Sequence, residues 1–217
     1  MELKATLTQR LQAIDISIPK NGLAKLTLYL QELIRWNQRF KFVKADPEEL
    51  VYYHLPDILA GLDHLKRIAT QGMILDFGSG AGLPGLPLAI LMEKNQFVLC
   101  ERKTKEQIFL KNIVLRLGLA NVEVIADLKS VEPKNTDGIP SPQVIICRAV
   151  TSLYRLYLNL KHYLKNKSIL LAYKGRLTKI EEELAELRQN NPDLQIEIIP
   201  LRTGLKKERH LVKISQG

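Results

Sequence analysis

Asp76, Gly78, Gly80 and Gly82 stand at alternate positions in ILDFGSGAGLPGLPLAI, residues 74–90. A short apolar run enters the glycines, and a second apolar run, helical in pattern, leaves them. A strand, a glycine-rich bend and a helix N-terminus in that order make a nucleotide cradle. Glycine lets backbone approach a ligand closely, and amides of the helix's first turn face polar groups. Two registers are written over this bend. Gly80, Gly82 and Gly85 spell the dinucleotide fingerprint G-x-G-x-x-G. The register Asp76, Gly78, Gly80, Gly82 fits the strand better, because the apolar run ends near Phe77 and leaves Asp76 at its carboxyl end. A carboxylate there receives an amino-acid ammonium and repels a pyrophosphate.

S-adenosylmethionine carries that ammonium and no phosphate, so it is the expected cofactor. Glu101 ends the next apolar run, VLCE, roughly 20 residues past the bend, where a ribose-reading carboxylate belongs in either register. Ala126 to Ser130 follow the third run and are placed to flank the adenine. Arg148 ends VIIC at the same sheet edge. Pro84 suits the first turn of the helix, where its missing amide costs nothing. The dinucleotide register implies an NAD-dependent oxidoreductase with a separate substrate domain, for which the chain has little room. A non-catalytic RNA-binding module is a third class, against which the intact Asp76, glycines and Glu101 count.

These residues need a scaffold, and the pattern after residue 72 supplies one. Strand-like runs lie near 73–77, 96–101, 122–126, 143–148, 168–173, 194–199 and 210–214, with helix-like runs at 84–93, 104–118, 152–164 and 177–190. Alternation predicts an α/β fold with a parallel sheet covered on both faces. The connection 200–209 lacks a helical pattern and joins antiparallel strands, so the seventh strand is expected to reverse. Residues 1–70 read as a helical extension before the domain 71–217. Leu23, Leu26, Leu30, Leu33 and Ile34 recur at helical spacing, with Pro19 in the first turn. Asp46 and Pro47 start a further helix, which His54-Leu55-Pro56-Asp57 is expected to break. Residues 132–142 read as a loop.

Net charge is +9, which favours an anionic partner such as nucleic acid. Arg35, Arg39, Lys41 and Lys44 gather near the end of one helix. Lys174 and Arg176 follow the fifth strand, and Lys206, Lys207 and Arg209 lie in the last connection. Strand ends of a parallel sheet share one rim, so these cations are expected around the cofactor mouth. Trp36, Phe40 and Phe42 either stack on a base or pack in the core. Cys100 and Cys147 sit in apolar runs and are expected as buried free thiols. No apolar run reaches the length of a membrane span, MELKATLTQR lacks the centre of a signal peptide, and no metal site is expected. The expected compartment is the cytoplasm.

FGSGAGLPGLPLAI, Arg148-Ala149 with Ser152-Leu153, Lys174-Gly175 and Glu208-Arg209-His210-Leu211-Val212 together resemble the glucose-inhibited division protein B family, the bacterial small-subunit rRNA methyltransferases G. Trp36-Asn37 and His54-Leu55-Pro56-Asp57 add to the likeness, which covers most of the chain. The resemblance implies a Rossmann-like methyltransferase fold and S-adenosylmethionine-dependent methylation of guanine N7 in the 530 loop of 16S rRNA, free or in the small-subunit particle. It places cofactor contacts on Gly78, Leu83, Lys129, Ser130 and Arg148, with backbone groups serving at Leu83, Lys129 and Ser130. It places RNA contacts on Lys174 and Arg209. The chain departs from the family at Lys41-Phe42-Val43, where Asn-Leu-Thr is usual, and at Leu128, where arginine is usual. A divergent methyltransferase acting on another RNA is the alternative.

Guanine N7 carries a lone pair and no proton near neutral pH, so no general base is required. The expected mechanism is positioning, with no acid–base residue, and His54 and His210 are assigned structural or RNA-contact roles. Neutralising Lys206 and Lys207 together is expected to weaken RNA binding and flatten its salt dependence. Affinity for S-adenosylmethionine should stay unchanged. Filter binding across a salt series, beside calorimetry with the cofactor, checks both.

Overall fold

The computed structural model describes residues 2–70, 72–128, 142–164, 168–204 and 207–217. Helices α1 (Glu2–Gln12), α2 (Lys20–Phe40), α3 (Pro47–Glu49), α4 (Leu55–Leu59) and α5 (Leu62–Ile68) precede the sheet. Strands β1 (Ile74–Phe77), β2 (Phe97–Cys100), β3 (Val122–Ile125), β4 (Val144–Arg148) and β5 (Ile169–Lys174) then alternate with α6 (Gly85–Leu91), α7 (Thr104–Leu117) and α8 (Leu153–Leu160), β4 following β3 without a described helix. Helix α9 (Leu177–Asn190), β6 (Leu194–Pro200) and β7 (His210–Gln216) complete the order. The strands lie in the order β3-β2-β1-β4-β5-β7-β6. β7 runs antiparallel to both β5 and β6, and the other strands run parallel, as the pattern predicted.

Both faces of the sheet are covered, which is why its central strands read as unbroken apolar runs. Leu75, Ile145, Cys147, Leu170 and Val212 pack under α8 and α9. Ile74, Phe97, Ile146, Leu171 and Leu211 face the other way, toward α4, α5 and α6. The N-terminal helices share a core with the sheet. Leu7, Leu26, Leu30 and Leu33 join Leu86, Leu99, Phe109 and Leu110 in one buried cluster. Each such side chain contributes about 1.5–3 kcal/mol on burial. Among the hydrogen bonds that tie this helical layer to the sheet, Tyr29 donates its hydroxyl to Ala81 O (2.8 Å), and Tyr173 donates to Ile58 O (3.1 Å).

Asp46 caps α3 in a reciprocal box: its Oδ1 accepts from Glu49 N, and Glu49 Oε2 accepts from Asp46 N. Asn37 bonds Val43 through both ends of its amide and donates to Ala45 O, which folds the chain back after α2. Pro19 and Pro84 both stand at the cap, one residue before their helices rather than in the first turn. The expected break at His54-Leu55-Pro56-Asp57 does not occur. Leu50–His54 form a wide π turn that runs directly into α4, and Pro56 sits in the first turn of α4, where its missing N–H costs little.

Gly85 lets α6 approach the strands closely. A Cβ there would lie 2.5 Å from Asp76 Oδ2 and 2.5 Å from Leu99 Cδ2. Gly85→Ala is expected to lower stability by about 1–3 kcal/mol through overpacking. Gly175→Ala, where a Cβ meets nothing within 4 Å, should stay within about 0.5 kcal/mol. Urea unfolding of the two variants makes the comparison.

Candidate functional site

The bend between β1 and α6 is held by its own amides. Gly78 N and Ser79 N both donate to Cys100 O, and Gly82 N and Leu83 N both donate to Ser79 O. Gly80 N donates to Glu101 Oε2 (2.8 Å), and Gly85 N donates to Asp76 Oδ2 (3.0 Å). This corrects one expectation: the named amides are not free to cradle a ligand. A pyrophosphate would have to displace these bonds and lie beside two carboxylates. Gly82, at φ +88°, is required by the path of the bend, and a Cβ on it would meet Leu86 at 2.4 Å. Gly80 faces the other way. The nearest atom to a Cβ there is 4.0 Å off, so open space lies against its backbone.

Asp76 is fully buried, and its Oδ1 has no hydrogen-bond partner. Burial outweighs the Gly85 amide and lifts its carboxyl to about 7. An unpaired buried oxygen costs about 1–3 kcal/mol, and a ligand ammonium offsets that cost. The residues thus fit a cofactor bearing a cation and a face able to lie on bare backbone. Glu101 is 8% exposed rather than solvated, and its oxygens accept from Gly80 N and Lys103 N. Each carboxylate oxygen retains a second lone pair.

Arg148, at the end of β4, donates to His54 Nδ1 (2.8 Å). A guanidinium has donors only, so Nδ1 accepts and the imidazole proton sits on Nε2. Burial, reinforced by the Arg148 charge, drops His54 to about 4, so the ring is neutral near pH 7. Beyond Arg148 a cavity of about 250 Å³ opens between Asp57, Arg148, Tyr173, Lys174, Leu201 and Arg209. Arg209 Nε donates to Asp57 Oδ2 (2.5 Å) across 152 residues of sequence. Asp57 is 3% exposed and its Oδ1 has no partner. Asp57 was not among the expected site residues. It entered only within His54-Leu55-Pro56-Asp57, as part of a helix break and of the family likeness.

The structure brings Asp76, Gly78, Gly80, Gly82, Leu83, Glu101 and Arg148 to one rim. Lys129, Ser130 and Lys206 lie outside the described residues, as does most of the 132–142 loop. The basic residues are more committed than their spacing implied. Lys174 Nζ donates to Glu183 Oε2 (2.7 Å) and Thr151 O, leaving its side chain 16% exposed. Arg35 pairs with Glu32, which Arg116 also engages. Lys207 lies over the Tyr53 ring, 5.4 Å from its centroid. Trp36, Phe40 and Phe42 group with Phe109 at centroid separations of 5.4–6.3 Å, partly buried on the core. Phe42 thus fills an aromatic cluster at one departure from the family pattern, and Leu128, at the other, is buried beside Ile125. Cys100 and Cys147 are free and buried, with thiols pushed up to about 12 by burial. His210 Nδ1 lies 2.7 Å from Gly175 O. Among the described residues no group of three or more potential ligands is placed to hold a metal, and no helix is long and apolar enough to cross a membrane.

A family profile described as rRNA small subunit methyltransferase G matches residues 22–212. Among curated relatives, the ribosomal RNA small subunit methyltransferase G of Brachyspira hyodysenteriae is 36% identical over 204 residues, covering 92% of this chain and 94% of the relative. That of Xylella fastidiosa strain M23 is 35% identical over 217 residues, covering 97% and 94%. Among solved structures, a putative O-methyltransferase from Klebsiella pneumoniae superposes with a TM-score of 0.61 at 14% identity, covering 98% of this chain and 97% of that one. A human methyltransferase 10 domain containing protein gives 0.58 at 14%, covering 91% and 99%. These structural likenesses support the Rossmann-like methyltransferase fold.

The raised Asp76 carboxyl has a consequence for stability. Its folded value of about 7 lies above the ordinary 3.8, so the folded chain keeps a proton that the unfolded chain has released. The contribution is full below about pH 4, falls as pH rises toward 7, and is flat above. Between pH 4.5 and 7.5, Asp76→Asn is expected to gain about 2–4 kcal/mol relative to the parent protein. Urea unfolding of both proteins at the two pH values measures that difference.

Proposed function

The chain belongs to the rRNA small subunit methyltransferase G family, and on that premise we propose that it methylates N7 of a guanine in the 530 loop of 16S rRNA, in the cytoplasm. The donor is S-adenosylmethionine, which when bound supplies a methyl group already activated on a sulfonium. The observation that carries the reading is the buried, unpartnered Asp76 Oδ1 on the strand that leads into the bend, whose backbone is open at Gly80. Asp76 holds the donor's ammonium, and Gly78, Gly80, Gly82 and Leu83 give it a backbone surface. Glu101 takes the ribose hydroxyls on lone pairs that the Gly80 and Lys103 amides leave free. Lys129 and Ser130 bound the adenine, and Arg148 contacts the donor from the end of β4, where it also lines the cavity at the ends of β4 and β5.

In this reading residues 1–70 form an extension that braces the bend through Tyr29, and residues 71–217 carry the transfer. Arg35, Lys174, Lys206, Lys207 and Arg209 meet RNA phosphates, Lys174 and Arg209 with only the capacity their carboxylate partners leave. A splayed-out guanine is required, since a stacked base edge is hard to surround. No side chain moves a proton. His54 is neutral and its Nδ1 is occupied by Arg148. The work is orientation, which is worth about 7–11 kcal/mol in the best-aligned cases.

Radiolabelled methyl transfer to naked 16S rRNA, small subunits and intact ribosomes, with the modified base mapped, tests the proposal. The expected product is a single N7-methylguanine in the 530 loop. Label on a different RNA would support the divergent-relative reading instead.

A further inference from the structure

We propose that the cavity bounded by Asp57, Arg148, Tyr173 and Arg209 is the pocket for the target base, and that Asp57 Oδ1 accepts a hydrogen bond from the guanine 2-amino group. The proposal rests on the guanine-N7 reading above and assigns Asp57 as the residue that reads the base. The cavity lies at the ends of β4 and β5, and β4 pairs on its other side with β1, the strand that carries Asp76 into the bend. Its volume of about 250 Å³ falls just under the roughly 300–1,000 Å³ of sites for drug-sized molecules, a size that suits one heterocycle. Asp57 lines the cavity, and one oxygen of that carboxylate is buried without a partner. The other oxygen of that carboxylate is fixed by Arg209, which sets the plane of the group.

An acceptor-only group facing a base selects an edge that donates. Guanine presents N1–H and the 2-amino group there, and adenine presents a lone pair at N1, which a carboxylate repels. The 2-amino group is the donor most remote from N7. A base held through it turns N7 away from Asp57 and toward the opposite wall, where Arg148 adjoins the donor side. Transfer places a positive charge on the ring and makes its exocyclic N–H groups better donors. The bond to Asp57 therefore tightens as the methyl group arrives, so it favours the transition state over the bound substrate. Asp57 also offsets the positive field of Arg148, Arg209 and Lys174, which would oppose that developing charge.

The test uses small subunits reconstituted with 16S rRNA carrying guanosine or inosine at the methylated position, inosine lacking only the 2-amino group. The unaltered protein is expected to lose about 10- to 100-fold in kcat/KM on inosine RNA. Asp57→Asn should lose a similar factor on guanosine RNA and bring the guanosine-to-inosine ratio toward one, with affinity for S-adenosylmethionine unchanged. A purely structural Asp57 would lower both rates together and keep the ratio. Equal rates on the two RNAs with the unaltered protein overturn the base pocket, whether or not the Asn variant folds. No transfer to guanosine RNA at all overturns the parent reading instead.

Discussion

A single bond, Gly85 N–H to Asp76 Oδ2, joins the end of β1 to the start of α6 and sets the geometry of the bend between them. It requires the carboxylate to be buried, and burial requires that helix and strands approach within a distance only glycine permits. The rest of the rim is built on that contact. Cys100 O and Glu101 reach across from β2 to take the amides of Gly78, Ser79 and Gly80, and Tyr29 reaches down from α2 to take hold at Ala81. A bend pinned from three sides presents a fixed surface, and a fixed surface is what in-line transfer needs.

The same carboxylate shows how structure and chemistry trade. Its engaged oxygen stabilises the fold while its idle oxygen destabilises it. The charge that a donor ammonium requires is disfavoured by the burial that keeps the site in shape. Asp57 repeats the arrangement, with one oxygen bound and one unpaired. Two buried acids are each half satisfied, and the arginine at the end of β4 is desolvated as well, which lowers its pKa and leaves it charged.

Much of this was legible in the chain because the relevant signals are local. Strands buried on both faces read as apolar runs, and the absence of helical pattern between Pro200 and Arg209 marked the reversal of β7. The acid-and-glycine spacing around Asp76 placed the bend. What escaped depended on contacts distant in sequence. Asp57 acquires meaning only through Arg209, and the free charge expected of Lys174 is spent on Glu183, on the following helix. The π turn at Leu50–His54 has no spacing of its own, since one wide turn preserves the apolar pattern on either side. The amides of the bend looked available because composition cannot show that neighbouring carbonyls and carboxylates already use them.

The separation between Asp57 and Arg209 has a further consequence in time. During synthesis about 150 residues follow Asp57 before its partner is made, an interval of roughly 8–30 s at ordinary elongation rates. Strand β7 must then insert between β5 and β6, so the sheet cannot close in the order of its synthesis. Until it does, docking α4 would bury an acid with neither oxygen matched. The nascent chain is therefore better off leaving that helix undocked, and the acceptor side of the crevice matures after the donor side.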